Sequence, residues 1–115
     1  MASGVIDIKQ IGYDGLFTGK PSTVNTYQTV SLGTGKKFSD YTTLMFILFF
    51  YGNAQATVVI PTGIFKTFTS SGQRLMIYAG ESTPTAQMYY VSDTAMALNM
   101  TEVTARSVAV YGMLV

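Results

Sequence analysis

Histidine, cysteine and tryptophan are absent from the 115 residues, and charge is scarce: seven Lys or Arg stand against six Asp or Glu. Without imidazole there is no His-paired serine or cysteine nucleophile, and the usual zinc and non-haem iron ligand sets cannot be assembled. Without thiols there are no disulfides, thiolate nucleophiles or structural zinc sites, and the cysteine count points to no compartment. A net charge of +1, with no basic run longer than Lys36-Lys37, lacks the electrostatic footprint of phosphate-backbone binding. We therefore expect no enzyme, no metal, no cofactor and no nucleic-acid partner.

Charged residues make up 11% of the chain, against about 25% in a typical domain. The apolar share, 48%, is ordinary, so the missing charge comes off the surface. A surface poor in charge fits a subunit that buries part of its outside against copies of itself or a ligand. The most apolar stretch, Leu44 to Tyr51, is far shorter than the roughly 20 residues of a spanning helix. A membrane barrel would repeat such segments along the whole chain, and the other segments are Thr-rich and mixed, so we expect no membrane insertion. Met1–Gly4 has no positive segment and no long apolar stretch. It reads as disordered or a cloning remnant, with no secretory leader.

What is present is turn punctuation at short intervals: Asp14-Gly15, Gly33-Thr34-Gly35, Gly52-Asn53, Pro61-Thr62-Gly63, Ser70-Ser71-Gly72, Gly80 to Pro84 and Ser92-Asp93. Between these signals lie runs of Val, Ile, Thr, Tyr and Phe, and no window sustains apolar residues at helical spacing. The pattern predicts an all-β fold, an antiparallel β-sandwich forming one domain over residues 1–115. Strands are expected near Val5 to Ile11, Thr26 to Leu32, Thr42 to Tyr51, Gln55 to Ile60, Ile64 to Phe68, Arg74 to Ala79, Ala86 to Ser92, Ala95 to Met100 and Ala105 to Leu114. Tyr13 to Asn25 reads as a loop with at most a short strand at Leu16 to Thr18.

Side chains alternate across a strand. Leu44, Phe46, Leu48 and Phe50 therefore share one face of their strand, and Met45, Ile47, Phe49 and Tyr51 share the other. Both are apolar, yet a two-layer sandwich buries only one face of each sheet. Met45, Ile47 and Phe49 become candidates for a subunit interface. The alternative is a cover from the chain itself, such as Tyr13 to Asn25.

The run Phe38-Ser39-Asp40-Tyr41-Thr42-Thr43-Leu44-Met45-Phe46 resembles the segment that opens the long central strand in the C-terminal tip (knob) domains of phage and prophage tail fibres and needles. The ending Ser107-Val108-Ala109-Val110-Tyr111-Gly112-Met113 is similar to the "V-x-V/I-Y-G-I" close of such domains. As a pattern the resemblance covers Thr26 to Val115. It implies a jelly-roll-like β-sandwich in a homotrimer on a virion, non-enzymatic, which binds a host-surface glycan or protein and other virion proteins. The alternative is a structural decoration or joining protein whose only ligands are other virion subunits.

Glycoside cleavage would need two carboxyl groups roughly 5 to 9.5 Å apart across a sugar, and no spacing pairs the carboxylates here. Asp14 and Asp93 read as turn formers bonded to their own backbone. Arg74 and Arg106 offer planar forks for a carboxylate, either a structural partner such as Glu81, Asp93 or Glu102, or an acidic sugar or amino acid at a subunit boundary. Tyrosine supplies a flat apolar face with a hydroxyl at its rim, suited to sugars. The ligand-binding candidates are Tyr51, Asn53, Gln55, Arg74, Tyr78, Tyr89 and Tyr90. Each tyrosine has packing as its alternative, and Asn53 and Gln55 could equally belong to a tight turn.

Overall fold

The computed structural model describes residues 13–80 and 82–114. Its strands are β1 (Tyr13–Gly19), β2 (Gln28–Ser31), β3 (Thr43–Phe50), β4 (Asn53–Pro61), β5 (Leu75–Ile77), β6 (Ala86–Ser92), β7 (Ala95–Met100) and β8 (Arg106–Met113). All pairings are antiparallel and form two four-stranded sheets, ordered β1-β8-β3-β4 and β2-β7-β6-β5. The all-β sandwich expected from the sequence is the architecture found.

Each sheet turns one face inward. From the first come Leu16, Leu44, Phe46, Leu48, Val108 and Val110; from the second, Leu75, Ile77, Met88, Met96, Leu98 and Met100. Leu44, Phe46 and Leu48 are completely buried, as strict alternation along β3 requires. One end of the sandwich is closed by a 3-10 turn (Phe38–Asp40) and a single helical turn, α1 (Thr62–Phe65). The Phe65 ring lies 5.0 Å from Phe46 of the first sheet and 6.3 Å from Tyr90 of the second, with Phe38 beside it at 5.4 Å. These rings join the two layers where the strands run out.

Two sequence expectations fail here. The expected strand at Ile64 to Phe68 is α1 and its exit. Pro61 fixes the entry to the turn, Thr67 donates its hydroxyl back to Ile64 O, and Phe65 faces the core while Ile64 faces solvent. The expected loop from Tyr13 is β1, an edge strand paired with β8 across an irregularity between Gly15 and Phe17. That irregularity breaks the alternation that would have marked it as a strand. β1 therefore extends the first sheet beside β8 and does not fold over its face. The expected strand at Val5 to Ile11 lies outside the described residues, as does Met1–Gly4.

The two segments that carry the family resemblance meet at the closed end. Tyr41 donates its hydroxyl to Asp14 at 2.8 Å and lays its ring against Gly112. A Cβ built on Gly112 would stand 2.3 Å from ring carbon Cγ of Tyr41, closer than any real contact. Only glycine fits there. Gly112→Ala is expected to cost about 1–3 kcal/mol of unfolding free energy, the scale of overpacking in a tight site. Gly15→Ala, whose new methyl would sit 3.8 Å from Tyr111, is the control and should leave the denaturation midpoint nearly unchanged.

Candidate functional site

The outer faces of the two sheets differ in chemistry. On the first, register sets Met45, Ile47 and Phe49 of β3 between Tyr111, Ala109 and Ser107 of β8 and Val59, Thr57 and Ala54 of β4. Tyr13 continues the surface with its ring edge-on to Tyr111, centroids 5.4 Å apart. None of these side chains carries a charge. Val59 is 58% exposed and Tyr13 51%, while Met45, Ile47 and Phe49 are partly exposed and shield one another.

On the second sheet the outward residues include polar and aromatic side chains beside the apolar Met76 and Ala97. Tyr27, just before β2, packs its ring 5.2 Å from that of Tyr89 on β6 and donates its hydroxyl to Gln87 Oε1 at 3.3 Å. Arg74 donates from Nε to the same oxygen and from Nη1 to Ser71 O at 2.6 Å. Asn99 on β7 stands opposite Gln87 in register, and its Oδ1 is buried with no hydrogen-bond partner. Tyr78 lies beside Met76, hydroxyl to sulfur 3.7 Å, and both are exposed.

The ligand candidates thus fall into three places. Arg74, Tyr78 and Tyr89 share the second sheet's outer face. Tyr90 points inward, its ring 5.8 Å from Phe38, with the Lys66 ammonium 5.8 Å above it. Tyr51, Asn53 and Gln55 sit at the β3–β4 hairpin. The residues in the turn are Tyr51 and Gly52, with φ of 50° and 78°, and not the expected Gly52 to Gln55. Positive φ at both central positions is the two-residue hairpin geometry whose twist matches the flanking strands. Asn53 and Gln55 belong to β4, an edge strand.

Sequence reasoning missed Tyr27 and Gln87, which complete the Arg74–Tyr89 cluster. Tyr27 was legible only as a residue entering a strand, and Gln87 carries no spacing signal of its own. Register brings them together across the sheet.

The carboxylates with described partners have structural ones. Asp14 accepts from Tyr41, and Asp93 accepts from the backbone N–H of Ser39 at 3.0 Å and its hydroxyl at 2.6 Å. Asp14 lies in β1 and not in a turn, while Asp93 sits in the β6–β7 turn as expected but bonds Ser39, distant in sequence, in place of its own backbone. Glu102 pairs with Arg106 at 3.6 Å, and the Arg106 guanidinium also lies 5.2 Å from the Phe50 ring. Among the described residues no group of three or more Asp or Glu converges on a point, and no helix is long and apolar enough to cross a membrane. A shallow groove of about 380 Å³ runs past Gly15, Phe17, Ser31 and Gly33 and presents no charged group.

Burial raises the pKa of three phenols and so suppresses their ionisation. Tyr27 is pushed up by desolvation, which outweighs the opposing pull of the Arg74 cation, and Tyr90 by desolvation and then Asp93. Tyr41 rises to about 12, first through burial and then through the bond to Asp14 and that carboxylate's charge.

Comparison with family models, with curated proteins and with solved structures gives no match to this chain.

Tyr41 supplies a pH test of the closed end. Below pH 10 its phenol is neutral in the folded and unfolded chain alike. Above the ordinary value of 10.0 the unfolded chain ionises, while the folded chain holds its proton to about 12. Stability therefore falls as pH rises through that window. Denaturant titrations from neutral pH to pH 12 should show this fall in the wild type and a smaller one in Tyr41→Phe. The variant should also lose about 1 kcal/mol at neutral pH with the hydrogen bond.

Proposed function

We propose that this protein is a non-enzymatic virion component, the tip of a phage tail fibre or needle, that assembles as a homotrimer and binds a host-surface receptor. In this reading the outer face of β1-β8-β3-β4 is packed between copies, and the outer face of β2-β7-β6-β5 is turned to the receptor. The observation that carries it is the uncharged surface of Met45, Ile47, Phe49, Tyr111, Tyr13 and Val59 on a sheet whose other side already forms the core.

Such a face left in water would be an aggregation hazard, and burial against identical faces removes it. The global shortage of charge, 11% of residues, fits the same account. Two further features support it. The nested pairings of β1 with β8 and of β2 with β7 are those of a jelly roll, whereas β3–β4 and β6–β7 pair as local hairpins in place of the nested β3–β6 and β4–β7 pairings of that fold. The two tail-tip-like segments also converge through Tyr41 on Gly112, so they form one structural unit. A trimer repeats each weak receptor contact on one rigid body and gains avidity without new contacts.

Sedimentation velocity of the full chain at low micromolar concentration should report the mass of three chains. Ile47→Asp places an unpaired charge at the centre of the outer face and leaves the core row Leu44, Phe46 and Leu48 untouched. It should sediment as a folded monomer with native circular dichroism. A monomeric wild type overturns the proposal.

A further inference from the structure

We infer that the outer face of the second sheet is a carbohydrate site for a pyranose bearing a carboxylate, built on Tyr27, Arg74, Gln87 and Tyr89. The inference rests on the receptor-binding reading above and gives it a ligand class. Its first support is the pairing of apolar rings with directional polar groups. Tyr27 and Tyr89 adjoin at 5.2 Å and are both partly exposed, which offers a sugar's C–H face an aromatic surface. Gln87 sits at their edge. Its Oε1 accepts from Arg74 and Tyr27, which fixes the amide and leaves its NH₂ to donate outward.

The second support is charge. Among the described residues no carboxylate lies within ion-pair distance of Arg74, whereas the other arginine, Arg106, has Glu102 at 3.6 Å. Arg74 is held in place by its bonds to Gln87 and to Ser71 O, so its fork is preorganised, and its charge has no anionic partner among the described residues. A ligand carboxylate supplies one, in the planar geometry that guanidinium favours. A protein segment is a poorer fit. The patch is small and amide-rich, and its largest apolar members are tyrosines, whereas protein-binding cores are larger and drier.

The third support is Asn99. Its Oδ1, in register with Gln87, is buried without a partner, an arrangement that costs about 1–3 kcal/mol where it persists. Buried polar atoms left unpaired recur where a surface serves something other than stability.

The test is saturation-transfer-difference NMR on the full chain. The probes are sialic acid- and uronic acid-capped oligosaccharides and their neutral parents, each at millimolar concentration, which detects weak single sites whatever the oligomeric state. Saturation of the acidic sugars, with the C–H face of the ring receiving most, is the expected result. Arg74→Gln should weaken binding of the acidic sugars about tenfold, to the level of their neutral parents, and Tyr89→Ala should abolish both. Both side chains face outward, so circular dichroism should stay native, and Ile64→Ala, at an exposed residue of α1 outside this face, should bind as the wild type does. Absence of saturation for every acidic sugar overturns the inference, as does saturation that survives Tyr89→Ala. Either result leaves the sedimentation outcome standing, and a monomer that binds acidic sugars would refute the assembly and keep this site.

Discussion

A strand apolar on both sides imposes the constraint from which the rest follows. β3 lies between β8 and β4, so its inward row of Leu44, Phe46 and Leu48 is committed to the core. Its outward row of Met45, Ile47 and Phe49 needs a second apolar surface. The neighbours on that side, Tyr111, Ala109, Val59 and Thr57, continue the patch and bring no charge to it. Fully burying an exposed apolar side chain is worth roughly 1.5–3 kcal/mol, and Met45, Ile47 and Phe49, already partly buried, have part of that each left to gain from association.

The two sheets divide the work. One has an inner face for the fold and an outer face fit for self-association. The other has an inner face for the fold and an outer face where Tyr27 and Arg74 both donate to Gln87 and the Tyr89 ring packs on Tyr27. In the proposed assembly, separating the two surfaces would hide one between copies and display several copies of the other. The closed end holds the layers together through Phe65 between Phe46 and Tyr90 and through Asp93, at the β6–β7 turn, accepting from Ser39, while Tyr41 on Gly112 and Asp14 fastens the end of the first sheet.

Much of this was legible in the sequence, and the reasons are local. β6 and β7 were readable to the residue because Ser92-Asp93 marks the turn that follows the β-forming Tyr89-Tyr90-Val91 and precedes a second apolar run. The two-faced character of β3 needs only the two-residue period. What was not legible depends on breaks in that period or on register. β1 hides behind its irregularity at Leu16. α1 hides because Ile64, Phe65 and Phe68 look like strand residues, and only Pro61 with Gly63 hints at a turn. The hairpin between β3 and β4 turns on Tyr51, a residue type that rarely takes positive φ, so the sequence favours a turn one residue later. The Tyr27–Gln87–Arg74–Tyr89 cluster spans four separate segments, and no linear spacing encodes it. Asp14 and Asp93 look like turn residues, yet they fasten Tyr41 and Ser39 across the fold.

The central claim is that sister chains cover Met45, Ile47 and Phe49. Isotope-filtered NMR on an equimolar mixture of ¹³C-labelled and unlabelled chains addresses it directly. The account predicts intermolecular cross-peaks from the Met45 and Ile47 methyl groups to aromatic protons of an unlabelled neighbour. Cross-peaks from those methyls that arise only within one chain would contradict it.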